Sequence, residues 1–340
     1  MRTPVTIRDV ARVAEVHPGT VSRALNEQTR TLVNEETAAR VLRAADELGY
    51  RPNPIARGLK TNRSYTIGVV IPDLTNPLFP PIVRGIEDRL GDAGYTPLIV
   101  NTDNDPERER SHIEAMLARQ VDGLIAATAR LDLTLLTEAA AGGAPLVLVN
   151  RSLEDGSAAA VTVDDRKGIA LAVEHVAGLG HRLIGHVAGP QNVSTGHLRH
   201  RGFVEAMEAA GLTVDPGHVS YADAFTEPQG ARACGEVLDH EPRVTAIVAA
   251  NDRLAMGCYD TLERRGLTCP GDVSIVGFND MPFIDRLQPP LTSVRVPQRE
   301  IGAAAADLLL AQLSGDGDPV RQILLEPELV VRASTAPPGP

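Results

Sequence analysis

Apolar positions recur with two rhythms along this chain. Over the first fifty residues the spacing is helical: Ile7, Val10, Ala11 and Ala14 share one face, Val21 and Leu25 lie on a second, and Ala38, Val41, Leu42, Ala45 and Leu48 on a third. From residue 66 onward, short apolar runs alternate with helical stretches, at 66–71, 97–100, 123–127, 146–149, 183–187, 245–249 and 273–277. That second rhythm predicts parallel strands covered by helices, an α/β body.

Local start and stop signals sharpen the first fifty residues into three helices. Thr6 with Asp9 three positions on forms a capping-box start, Pro18 suits a first helical turn, and Asn34 before Glu35 and Glu36 caps a third helix that Gly49 ends. The first two helices are separated by a short turn. Such a helix-turn-helix places its second helix in a DNA major groove. Residues 50–60 then offer Asn53 as a cap, Pro54 in the first turn and about two turns of sequence with a basic end. A helix that short needs a partner or DNA to form.

Charge follows the same division. The 340 residues, 43% of them hydrophobic, carry a net charge of -11. Residues 1–64 hold 11 Lys and Arg against 7 Asp and Glu, net +4, and the remainder is net -15. Positive charge is therefore concentrated where phosphates would be, above an acidic body that discourages non-specific wrapping. The first sixteen residues have no continuous apolar stretch of signal-peptide type, and no run of eighteen apolar residues occurs, so the expected location is cytoplasmic. Cys234, Cys258 and Cys269 lie in no paired spacing and read as reduced thiols. The motifs G-x-S-x-G, H-E-x-x-H, Walker A and G-x-G-x-x-G are missing, so no catalytic residue and no cofactor is expected. His197 and His200, three apart on a helical stretch, have no evident third ligand and read as a solvated face, so no metal is expected.

Several motifs in order resemble transcriptional regulators of the lactose-repressor/galactose-repressor (LacI/GalR) family. Beyond the head and the short basic helix, they are Ile67–Pro77 (IGVVIPDLTNP), Arg199–Phe203 (RHRGF), Ala250–Gly257 (ANDRLAMG), Val276–Asp280 (VGFND) and Pro289–Thr292 (PPLT). The resemblance implies an N-terminal all-α helix-turn-helix head, residues 1–50, a hinge helix and linker at 51–65, and a two-lobed α/β body at 66–334 of the type I periplasmic-binding-protein kind. By that analogy lobe one is about 66–162 and 294–321, and lobe two about 163–293 and 322–334. The Pro-rich residues 335–340 are expected to be disordered.

The function implied is a sequence-specific DNA-binding regulator, most often a repressor, working as a homodimer on an inverted-repeat operator and associated with the nucleoid when bound. A small-molecule effector in the cleft, a sugar or sugar derivative, would set operator affinity. The competing reading is a solute-binding protein with the same body and no transcriptional role; the head argues against it. No membrane partner is expected.

Two sets of candidate residues follow. Relatives read bases from the second helix at positions filled here by Pro18 and Gly19, which offer no side-chain hydrogen bond, so direct readout shifts to Arg23, Thr20 and His17. Arg23 is the expected guanine reader, with a solvated surface charge as the bland alternative. Thr6, Ser22 and Asn26 are candidate phosphate contacts. In the hinge, Asn53, Arg57 and Leu59 are candidates, Leu59 matching the leucine that wedges into the minor groove. Two departures from the family are Glu15, at a turn where glycine is usual, and Gly58, which weakens a hinge helix by about 1 kcal/mol relative to Ala.

Ligands of open α/β sheets bind beyond the carboxyl ends of the strands. In lobe one that singles out Asp73, Asn76, Phe79 and Arg151, and in lobe two the resemblance adds Asp164, Arg199, Phe225, Asn251 and Asn279. Donors and acceptors beside an aromatic face suit a polyhydroxylated ring. Asp73 and Asn76 can equally cap the next helix, Phe225 can be core, and Arg199 can be a structural ion pair. Asn279 replaces an acidic residue common in the family; that loss would favour an anionic ligand such as a sugar acid or phosphate unless Asp280 or Asp164 restores the charge.

Overall fold

A computed structural model describes residues 5–51, 63–131, 136, 144–240, 243–318 and 320–339, without the side chains of 27 and 28. The chain divides into two compact units, residues 1–64 and 65–340.

In the first unit, α1 (Ile7–Val13), α2 (Pro18–Leu25), a one-turn α3 (Glu27–Arg30) and α4 (Glu35–Leu48) enclose a small core. Val10, Ala11, Ala14, Val21, Ala24, Ala38, Val41, Ala44 and Ala45 are buried there. Small residues dominate because the helices cross closely; the interior volume comes from a few valines and the flanking Ile7, Leu25 and Leu48. Thr6 N and Oγ1 both donate to Asp9 Oδ2, at 3.0 and 2.7 Å, and Asn34 Oδ1 accepts from Glu36 N at 2.9 Å. Gly49 ends α4 in the left-handed region, φ 65°. Two sequence expectations change here. Leu42 faces solvent and Ala44 takes its place, because 38, 41, 45 and 48 already define the inward stripe and 42 lies one residue off it. The short α3 was not anticipated. Residues 52–62 lie outside the described residues, and with them Asn53, Arg57, Gly58 and Leu59.

The second unit holds two six-stranded sheets. The first has order β11-β5-β4-β3-β1-β2, made of β1 (Thr66–Ile71), β2 (Thr96–Asn101), β3 (Gly123–Ala126), β4 (Leu146–Val149), β5 (Ala159–Val163) and β11 (Gln322–Leu325). The second has order β12-β10-β9-β8-β6-β7, made of β6 (Ile184–Ala188), β7 (Val219–Tyr221), β8 (Ala246–Ala249), β9 (Ser274–Asn279), β10 (Thr292–Arg295) and β12 (Glu328–Val330). All pairings are parallel except β12 with β10. Period-two alternation sorts each strand between two helical layers: in β1, Ile67, Val69 and Ile71 join one core and Val70 another. The first of these cores continues into the second lobe through Val173, Phe203, Met207, Val276 and Phe278, which welds the lobes at their junction.

The crossover points differ from the analogy. β10 keeps residues through Arg295 in the second sheet, and Gln322–Leu325 pairs with β5 in the first, so lobe one takes back 322–325 and cedes 294–295. The cause is register: Ile323 and Leu325 complete the apolar face of β5, which leaves Glu328–Val330 to return to β10. The expected disordered tail is also overturned through Gly339. Buried Ser334 donates to Ile275 O at 2.6 Å and accepts from Thr292 N, and Ala336 O accepts from Ser274 Oγ at 3.1 Å and bonds the His181 ring at 2.9 Å. A histidine buried as deeply as His181 needs such a partner, and the tail supplies it.

Candidate functional site

On the head, α2 has two faces. Val21 and Ala24 are buried, while Ser22 and Arg23 are exposed on the opposite side with His17 at the helix start. His17 is the N-cap: its Nδ1 accepts from Gly19 N at 3.1 Å, which in the neutral ring leaves the proton on Nε2. Arg23 has no ion-pair or hydrogen-bond partner for its side chain among the described residues, so its guanidinium fork is free for a base edge. Pro18, Gly19 and Thr20 are half-buried along the same first turns, and Asn26 closes the helix as C-cap. Thr6 is exposed but already engaged with Asp9. Glu15 does sit in the left-handed region, φ 51°, as its place in the turn requires; about 1 kcal/mol of strain follows. Arg30 and Arg40, which the sequence reading passed over, bind carbonyls of Ala24 and Ala14 and brace the turn.

In the body, a cleft of about 170 Å³ opens between the carboxyl ends of the two sheets, and an inner recess of about 20 Å³ lies beside it. Asp73, Asn76, Phe79, Arg151 and Phe225 line the cleft; Arg199, Asn251 and Asn279 line the recess with Asn76, Phe79, Arg151 and Phe225. Eight of the nine nominated residues thus converge. Asp164 does not: it caps α7 (Asp165–Gly178), accepting from Lys167 N at 2.9 Å. The carboxylate that meets Arg199 is its neighbour Asp165, buried with Arg199 and bonded to its Nε at 2.7 Å. Arg199 also donates to Ala250 O at 2.7 Å and lies over the Phe278 ring, 3.8 Å from its centroid. Burial raises the Asp165 carboxyl, and the Arg199 charge opposes that rise.

Asp73 and Asn76 do not cap the helix that follows, whose N-cap is Leu78 without a side-chain bond; they close local turns, while Asn251 does cap a helix. Asn76 Oδ1 accepts from Leu78 N, and Asn251 Oδ1 from Leu254 N at the start of α10 (Asp252–Arg264). Asp73 Oδ1 accepts from Thr75 N and Oγ1 at 2.8 and 2.6 Å, while its Oδ2 takes Arg253 Nη1 at 3.0 Å. Arg253 in turn grips Glu227 with two bonds, at 2.9 and 2.8 Å. Asp73 belongs to lobe one and Arg253 to lobe two, so this triad ties the lobes together beside the cleft that Asp73 lines. Ser152 N to Ser194 Oγ, 3.0 Å, and Leu131 N to Asn192 O, 2.9 Å, are two further bridges between lobes. Phe225 reaches the cleft because Gly189 lies under it; a Cβ there would stand 2.4 Å from the ring.

Neither Asp280 nor Asp164 restores the charge that Asn279 lacks. Asp280 is taken by Arg295 and Arg332, at 2.8 and 2.7 Å. Glu109, Thr128 and Arg130, which are not among the sequence candidates, also stand on the cleft wall. Glu109 had a signal: it shares a helical stripe with Ile113 and Met116 in α6 (Pro106–Ala118), so it must be buried with them. Its carboxyl accepts from Thr128 Oγ1 and is pushed up by burial. Among the described residues no three His, Cys, Asp or Glu are placed to hold a metal ion, and His200 instead shares a hydrogen bond with Tyr221 at 3.1 Å. No helix among those residues is long and apolar enough to cross a membrane.

Comparison with known proteins agrees with both parts. Residues 6–53 match the model for bacterial regulatory proteins of the lacI family, and residues 173–335 a periplasmic binding protein-like domain. The chain is 35% identical over 333 residues to the transcriptional repressor CytR of Escherichia coli K12, covering 98% of this chain and 97% of that protein. It is similar to the Lac repressor dimer bound to operator and the anti-inducer ONPF, with TM-score 0.86, 27% identity and coverage of 98% and 100%. It is also similar to a complex of the regulator CelR with cellobiose, with TM-score 0.74, 30% identity and coverage of 97% and 99%. These relatives are regulators and not enzymes. The chain belongs to the lacI family of bacterial regulatory proteins.

Proposed function

We propose that the chain is a transcriptional repressor that binds an inverted-repeat operator as a homodimer, and whose operator affinity is set by a sugar or sugar derivative in the cleft between the lobes. The observation that carries this reading is the pairing of two surfaces in one chain: an α2 helix with an exposed, unpaired Arg23, and a polar cleft and recess lined by eight of the nine candidate side chains. Arg23 reads a guanine, His17 and Thr20 assist, and Thr6, Ser22 and Asn26 contact phosphates. The relatives support the roles by what they bind: operator DNA as a dimer in one case, a disaccharide in the other. A cytoplasmic, nucleoid-associated location goes with that function.

The test is to incubate the full chain with sheared genomic DNA at moderate salt, recover the bound fragments and sequence them. A short inverted repeat with half-sites about one helical turn apart is expected, and Arg23→Ala should weaken binding to it by about 1–3 kcal/mol and relax one base position. Recovery of unspecific fragments alone, fading with salt, would overturn the reading.

A further inference from the structure

Two buried polar atoms in the inner recess lack partners among the described residues, and they are of opposite kind. Arg151 is 7% exposed and its Nε donates to nothing; Asn279 is 1% exposed and its Oδ1 accepts from nothing. Both line the same recess, together with Arg199. Buried donors and acceptors are nearly always satisfied, so the pair calls for a bound molecule that reaches in from the adjoining cleft and offers an acceptor to Arg151 and a donor to Asn279.

Charge decides what kind of acceptor. Arg151 lies in the field of two further guanidiniums, Arg130 and Arg199, and of one carboxyl, Glu109. Arg199 is already matched by Asp165. Glu109 takes its hydrogen bond from Thr128 rather than from Arg151, and burial raises its pKa against that hydrogen bond and the pull of Arg151 and Arg130. Of the other acids on the cleft wall, Asp73 is committed to Arg253, and Asp223 stands in solvent 3.9 Å from Arg232. Burial lowers the Arg151 pKa to about 10, which still leaves it charged at neutral pH. Glu109 offsets part of that charge against Arg130 and Arg199, and an oxyanion would add to that offset while taking the free Nε hydrogen bond, which a neutral hydroxyl does without adding charge.

We propose that the ligand of this cleft is an anionic sugar derivative, its carboxylate or phosphate held by Arg151 and one of its hydroxyls donating to Asn279 Oδ1. The proposal rests on the effector reading of the cleft and narrows it. Asn279 matters because a carboxylate in its place would face the ligand's own negative charge; the amide accepts without repelling.

The full-length protein, in phosphate-free buffer at constant ionic strength, is titrated calorimetrically and by thermal melting with inorganic phosphate as the bare anion. Matched pairs follow: glucose against glucuronate, and ribose against ribose 5-phosphate. Saturable stabilisation by inorganic phosphate is expected, with at least one acidic sugar binding tenfold or more tightly than its neutral counterpart; which pair responds tells carboxylate from phosphate. Arg151→Gln should abolish both responses, and Asn279→Asp should weaken the acidic sugar at least tenfold. Should Arg151→Gln fail to fold, Asn279→Asp carries the test alone. No response to phosphate, equal binding within both pairs, or unchanged affinity in Asn279→Asp overturns the proposal. The same preparation is tested for operator binding, whose failure would overturn the regulator reading and leave the anion titration standing.

Discussion

Arg199 is held by a buried carboxylate, a backbone carbonyl and an aromatic face, at 2.7, 2.7 and 3.8 Å. Removing it strands Asp165 in an apolar interior, so Arg199→Ala should destabilise the body by about 3–5 kcal/mol, read from the urea midpoint. Replacing both partners with Arg199→Met and Asp165→Leu should recover much of that loss, because the unpaired charge goes with them. A single-variant loss below about 1 kcal/mol would contradict the buried-pair description. The same pair shows where sequence reading stops at this scale. Residue types placed after strands are legible, which is how Asn76 and Arg151 reached the candidate set, whereas Asn279 came from the family resemblance. The choice between adjacent Asp164 and Asp165 is not, since it depends on which of them turns back to cap α7 and which turns inward. Phe283 adds a strained and 78% exposed aromatic at φ 75°, which nothing in its sequence neighbourhood signals.

Helix pairs are locked by glycines, each of which lets the backbone of the opposing helix come close. In lobe one, α5 (Phe79–Asp92) packs on α11 (Gln298–Ser314): a Cβ on Gly302 would lie 2.0 Å from Ile82 O, and one on Gly85 2.1 Å from Arg299 O. Lobe two repeats the device with Gly230 and Gly257 between α9 (Glu227–Asp239) and α10. Gly302→Ala should therefore destabilise by about 1–3 kcal/mol by forcing α5 and α11 apart, although alanine is the better helix former; a neutral or raised melting temperature would contradict the close approach. Elements with strong local signals were legible, such as the three longer head helices and strands β1, β4 and β8. Strands β5, β7, β10, β11 and β12 were not, because each has a polar residue within five or fewer positions, whereas the equally short β4 and β8 are wholly apolar. Their pairing comes from neighbours brought close by the fold rather than from their own pattern.

Across the whole molecule, two buried groups set opposing pH dependences. His186 is wholly buried, bonded through Nδ1 to Val248 O, and burial depresses its pKa from 6.5 to about 3. The unfolded chain takes up that proton near pH 6.5 and the folded chain refuses it, so stability is full above pH 6.5 and falls as pH drops toward 3. Asp252 does the reverse. Burial raises it from 3.8 to about 7, so the folded chain keeps a proton the unfolded chain releases, and stability falls as pH rises between those values. Each contributes up to about 1.4 kcal/mol per pH unit. They largely cancel between about pH 4 and 6.5, so Asp252→Asn should lose stability more steeply than the parent from pH 6.5 to 4.5, read from denaturant midpoints. Equal slopes would contradict the assignment.

Control of the head by the cleft is tested most directly by operator affinity measured with the cleft empty and filled. The full chain is titrated onto its recovered inverted repeat by fluorescence anisotropy, without ligand and at saturation with a ligand that calorimetry shows to bind the cleft. A change in Kd of about 5- to 150-fold, in either direction, is predicted from a coupling of about 1–3 kcal/mol. The same Kd with and without the ligand would contradict the account.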